Sequence, residues 1–112
     1  MSTFSTAQRS ATATVITFGA EVLGGAEALE LATLVRQACS AEGSTVVFDL
    51  AAVRVMNSSG LGMLVGALST VKQHNSNLVL AAVPEKVDQL LMITQLNTVF
   101  AVTATVDEAV GE

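Results

Sequence analysis

The stretch Val46-Val47-Phe48-Asp49-Leu50 is nearly continuously apolar and rich in strand formers. A strand with one wet face alternates apolar and polar residues, so this run reads as a strand buried on both faces, as in a parallel sheet covered by helices. The flanking sequence supplies such helices. Upstream, Leu31, Leu34, Val35 and Ala38 fall at the i, i+3, i+4, i+7 spacing of one helical face. Glu27 and Glu30 lie in its early turns, where carboxylates suit the positive end of the helix dipole, and Gly43 ends the region. Downstream, Leu61, Leu64, Val65 and Leu68 mark a second face, which the polar run Gln73-His74-Asn75-Ser76-Asn77 closes.

The same alternation extends in both directions. Ala13 to Phe18 has strand composition and is broken by Gly19 and then by Gly24-Gly25. Leu78 to Val83 is another short apolar strand. Pro84 sits where a first helical residue belongs, and Val87, Leu90, Leu91 and Thr94 give a third stripe. Val99 to Thr103 reads as the last strand, and Thr105-Val106-Asp107-Glu108 has the form of a capping box for a short terminal helix. The expected order is β-α-β-α-β-α-β-α. This is an α/β fold with a mainly parallel central sheet of four to five strands and about four helices, joined by right-handed crossovers. Residues 1–10 are small and polar and read as a disordered tail or an edge strand, the strand being preferred; residues 11–112 form the domain.

With 112 residues, about half of them apolar, the chain makes one domain with one sizeable core. Charged residues are 13% and sum to −5, and the five basic side chains (Arg9, Arg36, Arg54, Lys72, Lys86) are scattered. That is no footprint for nucleic acid, whose binders cluster cations on one face. The N-terminus lacks the basic-then-apolar order of a signal peptide. The two longest stretches free of ionisable side chains, Val55 to Val71 and Gln89 to Val106, are interrupted by Asn57, several serines and threonines, Gln95 and Asn97, so neither is a membrane span. The expectation is a soluble cytoplasmic protein without membrane insertion, a monomer or weak dimer. The single Cys39 reads as a small core residue, and Met56, Met63 and Met92 as core fillers. One His and one Cys on different helices give no metal-chelating pair.

Functional loops of such sheets lie beyond the carboxyl ends of the strands. The most unusual local sequence falls there: Val55-Met56-Asn57-Ser58-Ser59-Gly60-Leu61-Gly62-Met63-Leu64-Val65-Gly66. Each glycine in a helix interior costs about 1 kcal/mol relative to alanine, so something should compensate. Gly60 and Gly62 are placed for close approach by a neighbouring or partner backbone, and Gly66 for tight helix–sheet packing. Asn57, Ser58 and Ser59 are all good N-cap residues, so one reading is a helix cap and nothing more. A second is a hydroxyl exposed for phosphorylation, because the free N–H groups of a helix N-terminus accept an anion without cost to the fold. A hydrolase nucleophile is the enzyme alternative. No glycine lies two residues before either serine, and His74 is at the far end of the helix, roughly 24 Å away. The glycines also lack the third member of a dinucleotide loop and any following Gly-Lys-Ser/Thr.

The run Asn57-Ser58-Ser59-Gly60-Leu61-Gly62 resembles the Asp-Ser-Ser/Thr-Gly-Leu-Gly signature of anti-sigma factor antagonists, which are STAS-domain proteins, and the apolar strand before it resembles that family's preceding strand. The element order fits over about residues 11–110. The resemblance implies a non-enzymatic switch without a cofactor of its own. In its unphosphorylated form such a module binds an anti-sigma factor, often an ATP-dependent serine kinase, and so frees a sigma factor. The kinase phosphorylates the first serine, here Ser58, and a serine phosphatase resets the switch. Asn57, Ser58, Ser59, Gly60, Leu61 and Gly62 would form the partner-binding site, with ATP and Mg²⁺ belonging to the kinase. Two positions depart from the pattern. The acidic residue ahead of the serines is Asn57, and Gly19-Ala20-Glu21-Val22-Leu23 only loosely resembles the family's Gly-Glu-Leu-Asp turn. The alternative is a STAS module of a scaffold or transporter, binding a protein without phosphoregulation.

Overall fold

The computed structural model describes residues 4–111. In chain order the elements are β1 (Phe4–Ser10), β2 (Ala13–Phe18), β3 (Glu21–Val22), α1 (Glu27–Ala38), β4 (Thr45–Asp49), β5 (Val55–Met56), α2 (Ser58–Gln73), β6 (Asn77–Ala81), α3 (Glu85–Ile93), β7 (Ala101–Thr103) and α4 (Val106–Ala109). Five strands form the main sheet in the order β1-β2-β4-β6-β7. The β1–β2 pair is antiparallel and the other three pairs are parallel. This is the mainly parallel α/β fold that the alternation of apolar runs and helical stripes implies. Residues 1–3 of the N-terminal stretch lie outside the described residues.

The central strand accounts for its own composition. Alternate side chains of a strand point to opposite faces. Val46 and Phe48 enter the large core that α1, α2 and α3 cover, while Val47 joins Val15 and Ala81 beneath Val106, Ala109 and Val110 of the C-terminal helix. All three β4 side chains are fully buried. Phe18 stacks between Phe48 and the edge-strand Phe4, both ring pairs at 4.9 Å. Truncating a buried ring of this kind costs about 3–5 kcal/mol. Across the other face Arg9 of β1 reaches Asp107 of α4 at 2.8 Å, an exposed pair worth about 1 kcal/mol at most.

Five local expectations need correction. Val65, expected on the buried face of α2 with Leu61, Leu64 and Leu68, is 41% exposed, because it lies about 100° round the helix from the buried Leu64. Pro84 precedes α3 as its cap, since its ψ of 157° is extended, and the helix begins at Glu85. The last strand starts at Ala101, because the amides of Val99 and Phe100 turn back to the Leu96 carbonyl and are not free for a ladder. Met92 is 57% exposed: α3 buries Val87 and Leu91, and the next residue lies about 100° further round the helix. A Cβ on Gly66 would meet no atom within 4 Å, so helix–sheet packing does not require a glycine there; the residue lines the groove between α1 and α2. Cys39 does pack in the core, at the C-cap of α1. Among the described residues no helix is long and apolar enough to cross a membrane.

Two short strands escape the sequence pattern. β3 and β5 pair in parallel over two residues, Glu21 with Val55 and Val22 with Met56, apart from the main sheet. The amides of Arg54 and Val55 both donate to the Ala20 carbonyl, at 2.7 and 3.0 Å. This ladder ties the loop after β2 to the loop after β4 and sets where α2 begins.

Candidate functional site

The serine-containing motif stands at the N-terminus of α2. Asn57 is the N-cap in extended backbone, and its Oδ1 accepts the Gly60 amide at 2.8 Å. The Asn57 amide itself donates to the Val22 carbonyl at 3.4 Å. Of the four donors that a helix start leaves unpaired, two are thereby used, and those of Ser58 and Ser59 remain for solvent or a ligand. Sequence alone offered three cap formers; the structure assigns the cap to Asn57. Both serines are exposed, and neither hydroxyl makes a hydrogen bond among the described residues.

The six motif residues divide by role. Asn57, Ser58, Ser59 and Gly62 face outward, whereas Gly60 and Leu61 are buried. Leu61 joins the main core and anchors the first turn. Gly60 lies against the backbone of β3, where a Cβ would overlap the Val22 carbonyl oxygen. Gly24, with φ +86°, allows a second close approach, since a Cβ on it would sit 2.8 Å from Cβ of Ser59. Gly62 opens onto a groove of about 370 Å³ between α1 and α2, walled by Ala28, Leu31, Ser59 and Met63.

Val22 and Gly24 are the supporting residues that sequence reasoning missed. The two glycines at 24 and 25 were legible as a break, but their service to a helix 35 residues later follows only from the β3–β5 pairing. Among the exposed apolar side chains are Leu23, just after β3, Val55 on β5, Leu29 in the first turn of α1 and Val65 midway along α2.

Two titratable side chains lie on the elements that carry this site. His74 caps the opposite end of α2, where its ring Nδ1 donates to the Thr70 carbonyl at 2.9 Å. Asp49, at the end of β4, is turned to the Ala51 amide at 3.1 Å. His74 is thus a full helix length from Ser58, and no hydrogen bond joins Asp49 to either serine among the described residues. Among the described residues no cluster of three or more His, Cys, Asp or Glu is grouped to hold a metal ion. A phosphoryl group on the Ser58 hydroxyl would stand by two free amides and the positive end of a 16-residue helix, a setting that tolerates an anion.

Comparisons with known proteins bear on the family and the fold. An anti-sigma-B factor antagonist of Listeria monocytogenes serovar 1/2a is 36% identical over 61 residues, 54% of each chain. This chain spans about half the length of the curated relatives it matches. The structure of an anti-sigma-factor antagonist (STAS) domain protein from Planctomyces limnophilus superposes with a TM-score of 0.79 at 25% identity, covering 97% of this chain and 95% of that one. A sulfate transporter family protein from Wolinella succinogenes shares the fold, with a TM-score of 0.74 at 13% identity and 89% and 83% coverage. The sequence pattern of the STAS domain matches residues 5–109, and the chain belongs to the STAS domain family.

Proposed function

We propose that this chain is an anti-sigma factor antagonist: it binds an anti-sigma factor of the serine-kinase type, frees a sigma factor, and is switched off by phosphorylation of Ser58. The observation that carries the reading is an exposed, unbonded Ser58 hydroxyl on the first residue of α2, with Asn57 doing the capping. The names of the curated relatives support the class of partner.

In the switching step the Ser58 oxygen attacks the γ-phosphorus of ATP held by the kinase. The bond to the β-phosphate oxygen breaks, ADP leaves, and the hydroxyl proton passes to a base of the kinase. This chain supplies only the acceptor and has no catalytic activity of its own. The phosphate adds about −1.5 to −2 charges to a surface that must meet the partner, and it does so without unfolding α2. A serine phosphatase restores the hydroxyl. Because its partner controls a sigma factor, the module works in the cytoplasm.

The test measures affinity for the anti-sigma factor and phosphate incorporation in the wild type, Ser58→Ala and Ser58→Asp. Ser58→Ala keeps binding and loses labelling; Ser58→Asp folds but binds at least about ten-fold more weakly, the equivalent of 1.4 kcal/mol. Equal binding by Ser58→Asp together with no labelling of the wild type would replace this reading with a constitutive binding module. Asn57 in the place of an acidic residue is the observation that favours that second account.

A further inference from the structure

The sequence scatters its five basic residues, but the fold brings two of them together. Arg54, just before β5, and Lys86, in the first turn of α3, line one cavity of about 210 Å³ with Val55, Met56 and Val87. Arg9 is held by Asp107 and Arg36 reaches Thr33, whereas the Arg54 and Lys86 side chains make no ion pair or hydrogen bond among the described residues. The Arg54 backbone is fixed by its bond to Ala20. The Pro84 cap offers α3 no side-chain acceptor, and Glu85 and Asp88 in its first turn offset the positive end of that helix. Neither carboxylate pairs with Arg54 or Lys86. Glu85 accepts from Gln89 at 3.4 Å, and Glu21 and Asp88 form no ion pair. The remaining walls are apolar, Val55 being 48% exposed. Met56 leads directly into Asn57 and Ser58, so the cavity adjoins the switch.

We propose that this cavity docks an acidic side chain, flanked by an apolar one, on the partner protein, and that it sets the association rate. Charge complementarity selects the occupant: two unpaired cations over an apolar floor suit a carboxylate on an apolar segment. No aromatic side chain lines the cavity to stack a nucleotide base. The inference rests on the proposed function and adds a reason for the switch. A phosphate on Ser58 enters beside a site occupied by the partner's own negative charge and repels it.

Two measurements keep the inference separate from the reading it rests on. The first is the association rate of the anti-sigma factor with the wild type, Arg54→Gln/Lys86→Gln and Arg54→Glu/Lys86→Glu at low and high salt. The double charge reversal is expected to slow association about ten-fold at low salt, with the neutral pair between, and the gap to narrow in high salt. Rates within two-fold of wild type for a reversal variant with an unchanged circular dichroism spectrum overturn the inference and leave the proposed function standing. If the wild type does not bind the anti-sigma factor, the proposed function fails, and the second measurement decides on the cavity. Amide resonances of Arg54, Val55 and Lys86 are followed by NMR against a peptide of alternating leucine and glutamate, its leucine–lysine counterpart and inorganic phosphate. Shifts with the acidic peptide that vanish in Arg54→Gln/Lys86→Gln support the site. Equal shifts with the basic peptide, shifts with phosphate alone, or none with any probe overturn it.

Discussion

Gly60 and the carbonyl of Val22 are in contact so close that no other residue fits: a Cβ on Gly60 would overlap the carbonyl oxygen and lie 2.8 Å from its carbon. Both partners are backbone and neither can rotate away. Gly60→Ala must therefore push α2 off β3 and disturb the Asn57 cap. The expected loss is about 3 kcal/mol, the upper range for overpacking a close contact, read as a lower urea midpoint with an unchanged slope.

Gly62 and Gly66 sit in the same helix with the opposite expectation. Both are exposed, and a Cβ at either meets nothing within 4 Å. Gly62→Ala and Gly66→Ala should each raise stability by up to about 1 kcal/mol. Gly62 also lies one turn from Ser58 at the open groove, so its variant should bind the anti-sigma factor more weakly while melting higher. Equal binding by Gly62→Ala would remove Gly62 from the partner surface.

What the sequence made legible was whatever local periodicity encodes. The doubly buried strand at Val46–Leu50, the faces of α1 to α3 and the Thr105 cap of α4, whose Oγ accepts the Glu108 amide at 3.1 Å, follow from spacing and composition. The glycine run at 60–66 announced a special helix start, but not which glycine is indispensable. That distinction depends on the β3–β5 ladder, two residues per strand, too short to leave a periodic signal and held by pairing between residues 34 positions apart. The same holds for Arg54 and Lys86, which only the packing of α3 on β5 brings to one cavity.

The end of α3 offers a stability gain far from the site. Gln95 stands at φ +62°, the Leu96 amide returns to the Leu91 carbonyl at 2.8 Å, and the Gln95 amide donates to Met92 at 3.1 Å. This is the Schellman pattern, whose left-handed residue is usually glycine. The left-handed conformation costs an L-residue roughly 1–2 kcal/mol, partly offset by glycine's greater freedom in the unfolded chain. Gln95→Gly should raise stability by about 0.5–1 kcal/mol in thermal unfolding; a loss would mean that the Gln95 side chain contributes packing.

Cys39 gives the fold a limit in alkali. Burial pushes its thiol above the ordinary value, with a hydrogen bond to Ser76 opposing in part. The unfolded thiol ionises near 8.5, so above that pH the unfolded chain releases its proton while the folded chain still holds it. Stability is full below about pH 8.5 and is lost as pH rises from there through the folded-state value. The chain has no tyrosine and only two lysines to obscure the effect. Urea midpoints between pH 7 and 10 should fall more steeply for the wild type than for Cys39→Ala, whatever the variant's stability at pH 7. Parallel slopes would show that another group governs the alkaline limb.

Asn57→Asp separates the two tasks of that position. As a cap, Asn57 accepts the Gly60 amide through Oδ1, and an aspartate oxygen of the same reach does so equally well. The added charge lies at the positive end of α2, worth about 0.3–1 kcal/mol. The variant should thus be as stable as the wild type or more so, by an amount that shrinks in high salt. Its effect on the switch is distinct. A carboxylate beside the Ser58 hydroxyl restores the acidic residue of the signature that this motif resembles, and it should speed phosphate incorporation by a kinase that uses the charge to orient the hydroxyl. It should also deepen the repulsion once Ser58 carries phosphate. Labelling rate and melting temperature, measured together on Asn57→Asp and on Asn57→Ala, distinguish these roles. Asn57→Ala should lose about 1 kcal/mol of cap. If Asn57→Asp is labelled no faster than the wild type while melting higher, the position serves the helix alone, and the kinase takes its bearings from elsewhere on this surface.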